Sequence, residues 1–455
     1  MDNSLDQYLS LLDGHLAEID AHAPAALNAL RPAAIGALRA FGRFPRRGDE
    51  GFPDADPAGM LAPDYGVNIA RVNIPADVAA SFRCDVPNVS TLTAVVVADS
   101  FHATSTLVKN MPEGLTVMSL ARAAEEHPEL IKKYLNHLAA DSTATSALNT
   151  ALLQDGVFIH VRRGVRLEKA VQIVNIFSAQ AAMMAVRRVL VVAEEGSAVK
   201  VLLCDHSQRS DVDYLSSEVV EIFAGEGSSV EFYDIEESTP RTCRLAEVFV
   251  AQEKDSSYFS TSASLNGGDT YNALRLRLEG EGASAELGSL VIASGSRRVD
   301  NNVLLTHAAP RCTSRQLFKY ALFDSAHGAF GGKVVVNEGA YRTDAAQTNR
   351  NLLAGPDATM HTDPQLEIYC DDVKAGHGAA TGQLDTRALF YMQSRGIPEA
   401  EARRMLVQAF MMDVAEGIRL DALRDRMRLL VEKRLGGDIS ASCAECHAGT
   451  APACK

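Results

Sequence analysis

The chain has 455 residues, of which 47% are hydrophobic and 22% are charged. At about 150 residues per domain, this length corresponds to about three structural units, and it can bury a large core without disulfides or metals. The composition excludes collagen, a coiled coil and wholesale disorder. The formal net charge of −14 argues against a nucleic-acid-binding protein and against attraction to an anionic membrane surface.

Residues 1–145 are predicted to form an N-terminal helical region that contains a Pro/Gly-rich linker, GRFPRRGDEGFPDADPAGMLAPDYG. The first helix is amphipathic, with Leu5, Leu9, Leu12, Leu16 and Ile19 on one side. Asp2 and Asp6 stand where a signal peptide would carry Lys or Arg. No apolar run is long enough for a transmembrane helix. We therefore expect a cytoplasmic protein whose cysteines are thiols or ligands.

A second helical stretch is predicted over 115–139, with Pro128 starting a new helix.

Residues 146–380 are predicted to form a β core of short strands and tight turns. Leucines at 274, 276 and 278 alternate with Arg275 and Arg277, which is the period of a half-buried strand. Three similar turns contain Gly196, Gly227 and Gly282, and glycine tolerates the positive φ that a tight corner requires. Their unequal spacing favours an irregular β-solenoid. An antiparallel sandwich is the alternative.

Residues 381–437 are predicted to form a C-terminal helical domain. Asp385 can cap the first helix, and Gly396 can end it in the left-handed conformation. Pro398 opens the second helix, and a third covers LDALRDRMRLLVEKRLGG. Their apolar stripes require a surface to pack on, which is either the solenoid or a partner.

Two motifs are candidate signs of an enzyme. Gly331-Gly332-Lys333 fails as a phosphate-binding loop, because the next residue is Val334 rather than Ser or Thr. The carboxylates of Glu367, Asp371 and Asp372 can hold Ca²⁺ or act as acid and base in a solenoid enzyme for acidic polysaccharides, with Glu367 and Asp371 on one face of a strand. The alternative for these three residues is a solvated strand end followed by a turn.

Two groups of residues can bind metal. His377 lies between two glycines at the junction of strands and helices, where it can be a ligand for iron or zinc or can bond within a loop. Residues 438–455 form a tail that contains Cys443, Cys446, His447 and Cys454. C-x-x-C-H matches the c-type haem attachment motif, but haem attachment occurs in exported proteins. The same residues can bind zinc or an iron–sulfur cluster, which would make the chain a metal or redox carrier. The remaining alternative is an oxidisable end that binds nothing.

Three long stretches resemble the SufB/SufD family of iron–sulfur cluster assembly proteins, and within it the SufD-like members. They are ALNTALLQDGVFIHVRRGV, TDAAQTNRNLLAGPDATMHTDPQLEI and PQLEIYCDDVKAGHGAATGQLDTRALFYMQSRGIPEAEARRMLVQAF. The resemblance implies a mainly β fold with flanking helices: a right-handed parallel β-helix core with N- and C-terminal helical regions. This agrees with the separate interpretation of the strand pattern.

The resemblance also implies a function. Such chains are non-enzymatic scaffolds that pair with a SufB-like paralogue and dock a SufC-like ABC ATPase, which hydrolyses the ATP. A transient iron–sulfur cluster can form at the SufB–SufD interface, which the family histidine, here His377, would line. The implied docking residues for the ATPase are Asp385, Leu389, Phe390, Tyr391, Arg395, Gly396, Ile397, Ala402 and Phe410. No intrinsic cofactor is expected. The family complex is associated with reduced flavin, but no flavin motif is present, and a homodimer is an alternative pairing.

The sequence departs from the family pattern at two places. Ala375-Gly376 stands where the family often has Cys-Ser, so a thiol is missing before His377. Strand alternation would place Cys370 on the opposite face from Ala375. Phe52 stands where the family tends to carry Trp, and this chain has no Trp. We hypothesise that the cysteine tail supplies ligands that Ala375 does not, and unchanged iron content after deletion of residues 438–455 would contradict this.

Overall fold

The computed structural model describes residues 4–76 and 92–436, in which a parallel β-solenoid of about eight turns is flanked by helices. From β5 onward, odd-numbered strands form one sheet (the odd sheet) and even-numbered strands the other (the even sheet), so that each turn of the solenoid contributes one strand to each sheet. The solenoid strands are β5 (Val157–Val161), β6 (Val171–Phe177), β7 (Met183–Ala193), β8 (Ala198–Ser207), β9 (Tyr214–Ala224), β10 (Ser229–Glu237), β11 (Thr242–Gln252), β12 (Ser257–Ser264), β13 (Thr270–Leu278), β14 (Ser284–Ala293), β15 (Arg298–His307), β16 (Thr313–Leu322), β17 (His327–Val336), β18 (Thr343–Leu353), β19 (Thr359–Ile368) and β20 (Val373–Gly382). The predicted β-helix is confirmed, and the alternative of an antiparallel sandwich is wrong.

The corners and the interior follow the sequence signals. Gly196, Gly227 and Gly282 have φ values of +66°, +64° and +75°, so each of the three predicted turns uses the left-handed region. Leu276 and Leu278 are buried in the inner core, with Leu274 packed against it. Side chains from one face of each strand therefore fill the interior of the solenoid.

The N-terminal region packs on the outer face of the odd sheet, but it is not wholly helical. Its helices are α1 (Ser4–Ala21), α2 (Ala25–Asn28), α3 (Arg31–Phe41), α4 (Pro57–Met60), α5 (Ser105–Asn110), α6 (Leu120–Glu126), α7 (Pro128–Tyr134) and α8 (Ala144–Leu152). Its strands are β1 (Gly66–Val67), β2 (Leu92–Val97), β3 (Ser100–Ala103) and β4 (Leu115–Ser119). The helix predicted to begin at residue 115 is therefore wrong over its first five residues. These residues pair with β5 in antiparallel register, and tertiary pairing overrides a weak local preference.

The C-terminal region packs on the outer face of the even sheet. It contains α9 (Thr386–Ser394), α10 (Glu399–Glu416) and α11 (Asp421–Leu435). Met411, Val414 and Val431 are buried against Tyr233 and Leu290 of the sheet. The solenoid itself thus covers the apolar stripes of these helices. In the part of the chain that the structure describes, no helix is long and apolar enough to cross a membrane.

Candidate functional site at the open end of the solenoid

The last turn of the solenoid has no further strand stacked on it within the described chain. β19 pairs only with β17, and β20 pairs only with β18. Nearly every residue of β20 is exposed. Terminal strands of this kind present unpaired backbone N–H and C=O groups, which are suited to pairing with another strand.

His377 stands exposed in the middle of β20. Its register partner on β18 is Gln347. The glycines on either side leave it unobstructed, because a Cβ at Gly376 or Gly378 would meet no atom within 4 Å. The imidazole is therefore accessible to a partner at the centre of the open turn.

The three candidate carboxylates do not converge on one site. Glu367 lies on β19 and accepts a hydrogen bond from Lys333 Nζ at 2.9 Å, which raises the pKa of that lysine. Asp371 and Asp372 lie in the turn after β19, so the strand does not continue far enough to place Glu367 and Asp371 on one face. In residues 4–76 and 92–436, no group of three or more His, Cys, Asp or Glu side chains could hold a metal ion. The observed arrangement is a strand end followed by a turn.

Cys370 also lies in this turn, so the argument from strand alternation does not apply to it. Its side chain is buried against Val336, Ala340 and Val373. It therefore packs as a small apolar residue. The predicted metal ligands Cys443, Cys446, His447 and Cys454 lie outside the described residues.

The first C-terminal helix presents a free aromatic surface. Asp385 caps α9 by accepting a hydrogen bond from the backbone N–H of Arg387 at 2.8 Å. Leu389 faces inward and is 8% exposed, whereas Phe390 and Tyr391 are 72% and 59% exposed. The Arg395 guanidinium lies over the Tyr391 ring, 5.2 Å from its centroid. Large exposed rings of this kind mark an interaction surface.

The other predicted docking residues lie just after the end of α9 or on α10. Gly396 has a φ of +88° and follows the end of α9, as predicted. Ile397 is half-buried, and Ala402 is fully buried on α10. Phe410 is half-buried, and its carbonyl accepts a hydrogen bond from Lys319 Nζ at 2.7 Å. Sequence reasoning missed Lys319, because nothing local marks a lysine of β16 as the anchor of a helix 91 residues away.

A groove of about 370 Å³ joins the two candidate regions. Thr381 and Gly382 of β20 line it on one side, and Leu406 and Phe410 of α10 line it on the other. The groove therefore places β20 beside α10 and beside Asp385, the cap of the helix α9 that carries the aromatic surface. A partner bound to these helices would lie next to the end strand.

Comparison with known proteins extends over nearly the whole chain. Residues 175–410 match the SufBD core domain of the SUF system for FeS cluster assembly, and residues 2–173 match the N-terminal region of SufBD proteins. The chain is 27% identical to an iron–sulfur cluster assembly SufBD family protein of Synechocystis sp., over 86% of this chain and 88% of that one. It is 27% identical to the iron–sulfur cluster assembly protein SufD of Bacillus subtilis, over 71% and 74% of the two chains. It is 36% identical to SufD of Escherichia coli, over 40% and 44%.

Proposed function

This chain belongs to the SufBD family of the SUF iron–sulfur cluster assembly system, and from that premise we propose that it acts as a SufD-like scaffold subunit. The observation that carries the proposal is the exposed terminal strand β20 with His377 at its centre. In this proposal the open end of the solenoid pairs with a SufB-like paralogue. The nascent iron–sulfur cluster is cargo held at that interface, and His377 serves it as a polar or metal-binding group.

The exposure of the end strands supports pairing with a protein rather than burial in a core. Exposed and half-buried residues alternate over most of β19, and β20 carries small residues around its histidine. Backbone pairing at such an edge supplies affinity, and side chains supply specificity. A second copy of this chain could use the same edges, so a homodimer is the competing arrangement.

The aromatic surface of α9 is proposed to dock a SufC-like ABC ATPase. Phe390 and Tyr391 are among the most exposed large apolar side chains of the described residues. Aromatic and arginine side chains dominate the binding energy of protein interfaces, and Arg395 lies beside these rings. ATP hydrolysis then belongs to the partner, and this chain is a non-catalytic scaffold. A cytoplasmic location follows from the proposal, because the ATPase needs access to ATP. Any reduced flavin would belong to the assembled complex.

The decisive experiment is an anaerobic pull-down of the tagged full chain from its own cells, followed by mass spectrometry. We expect an ABC-type ATPase and a SufB-like chain in stoichiometric amounts. Recovery of this chain alone, while both partners are expressed, would contradict the scaffold role.

A substitution then tests the role of the histidine. His377→Ala should impair cluster formation and leave the fold and the ATPase partner in place. His361→Ala is the matched control, because His361 is exposed on the neighbouring end strand but lies on the outer face. Normal maturation of iron–sulfur enzymes by the His377 variant, in cells without another assembly system, would contradict the assignment.

A further inference from the structure

Three side chains form one inward-facing column at the open end of the solenoid. Gln316 of β16 pairs in register with Gln347 of β18, and Gln347 pairs with His377 of β20. The inward direction on β20 is given by its neighbours of the same parity. Ala375 packs against the inner core, and Thr381 accepts a hydrogen bond from the buried Asn351. Because side chains alternate along a strand, His377 stands on the same face.

Only one of the two polar atoms of the Gln347 side-chain amide is hydrogen-bonded. Its Nε2 donates a hydrogen bond to Gln316 Oε1 at 3.1 Å. Its Oε1 is buried and has no hydrogen-bond partner within the described chain. Burying a carbonyl oxygen without a hydrogen-bond donor is unfavourable in free energy.

The space around this amide is maintained by a glycine on the facing strand. A Cβ at Gly332 would lie 2.5 Å from Gln347 Nε2 and would also meet the ring of Phe330. The interior therefore has room for the Gln347 side chain at this level, one turn below the exposed histidine.

We propose that Gln347 is a positioning residue for His377: its free Oε1 accepts a hydrogen bond from one ring N–H of the imidazole. The two groups are not hydrogen-bonded in the structure. Neighbouring strands lie about 4.8 Å apart, so rotation of the exposed imidazole brings a ring nitrogen within reach. The bond selects one tautomer and leaves the lone pair of the other nitrogen facing outward. The inference rests on the proposed function in one respect, namely that this outward nitrogen serves the interface.

The test is nuclear magnetic resonance of the full chain with ¹⁵N-labelled histidine, at about pH 8, which is above the usual pKa of histidine side chains in general. We expect the two ring nitrogens of His377 in the wild type to give the separate shifts of a single tautomer. Gln347→Leu should move both shifts toward the average of two tautomers. Gln347→Glu keeps an acceptor oxygen of the same reach, and its His377 shifts should not show the average of two neutral tautomers.

A matched control separates positioning from a general disturbance of the last turns. Asn351→Leu removes another inward amide of β18 and should leave the His377 shifts unchanged. Averaged shifts in the wild type, or identical shifts in wild type and Gln347→Leu, would overturn the proposal. The measurement needs no partner, so it stands even if the pull-down recovers this chain alone. Conversely, the wild type could show a single tautomer while the His377→Ala variant still matures iron–sulfur enzymes normally. That result would contradict the proposed function only.

Discussion

The ring of Phe52 stacks on the ring of Tyr271, with centroids 4.6 Å apart and planes inclined by 26°. Phe52 belongs to the Pro/Gly-rich linker, and Tyr271 lies on the outer face of β13. Two further contacts attach the same segment to the sheet. Asn302 Nδ2 donates to the Gly51 carbonyl at 3.3 Å, and the Ala55 N–H donates to Asp300 Oδ2 at 3.3 Å. The linker is thus a strap across the odd sheet.

Removing the stacked ring should weaken the attachment of the linker to the odd sheet. We expect Phe52→Ala to lower the free energy of unfolding by about 2 kcal/mol, below the roughly 3–5 kcal/mol of a fully buried phenylalanine, because Phe52 is half-buried. Phe41→Ala is the matched control, since Phe41 is 45% exposed and should cost under about 0.5 kcal/mol. Urea unfolding measures both variants, and equal losses would contradict the role of the stack.

The carboxyl of Asp300 should make stability depend on pH. Burial raises its pKa to about 7, and the nearby Asp54 adds to the shift, whereas in the unfolded chain the pKa is about 3.9. Between these values the folded state keeps a proton that the unfolded state has released. The contribution of Asp300 is therefore full below about pH 4 and is lost as the pH rises to about 7.

Asp300→Asn has no such proton to lose. We expect the stability of the wild type relative to this variant to fall by up to about 1.4 kcal/mol per pH unit from about pH 5 to about pH 7. Glu218, whose pKa burial also raises to about 7, is present in both proteins and cancels in the difference. Denaturant unfolding at several pH values measures the effect. Parallel profiles for the two proteins would show that Asp300 does not titrate there.

Breaking a buried ion pair should lower the free energy of unfolding far more than breaking an exposed one. Arg188 and Glu221 are wholly buried with N–O atoms 2.9 Å apart, whereas Arg163 and Glu195 form a 2.7 Å pair on the surface. Arg188→Met leaves the Glu221 charge buried without its cation and should cost about 3–5 kcal/mol. Arg163→Met should cost under about 1 kcal/mol. Thermal and urea unfolding compare the two. A small loss for Arg188→Met would mean that Glu221 is satisfied by the backbone N–H groups of Asn136, Leu138 and Ala139, which donate to its carboxylate at 2.8, 2.9 and 3.2 Å.

The aromatic surface of α9 should be dispensable for folding but required for binding. Phe390→Asp should weaken capture of the ABC-type ATPase by about 30-fold or more, the effect of a hot-spot residue worth about 2 kcal/mol. Its melting temperature should match that of the wild type, because the ring is exposed. Val108→Asp alters another exposed apolar residue, 67% exposed on α5, and should bind normally. Equal capture by both variants would place the docking surface elsewhere.

Much of this protein can be read from local signals in the sequence. The leucines of β13, the corner glycines and the cap of α9 each act within a few residues, so their structure follows from φ preferences, alternation and capping. The long stretches that resemble the SufB/SufD family imply the β-helix, and the pattern of strands and turns favours a solenoid independently. The histidine between two glycines was also recognisable as accessible.

The tertiary structure decided what depends on register between distant residues. Gln347 precedes His377 by 30 positions in the chain, and nothing in either segment specifies that they stand on adjacent rungs and face inward. The same holds for residues 115–119, which form a strand because β5 offers them hydrogen bonds. The turn after β19 likewise ends the alternation that would have aligned Glu367 with Asp371. Local propensity acts through neighbouring residues, whereas strand pairing joins backbone groups that the fold alone brings together.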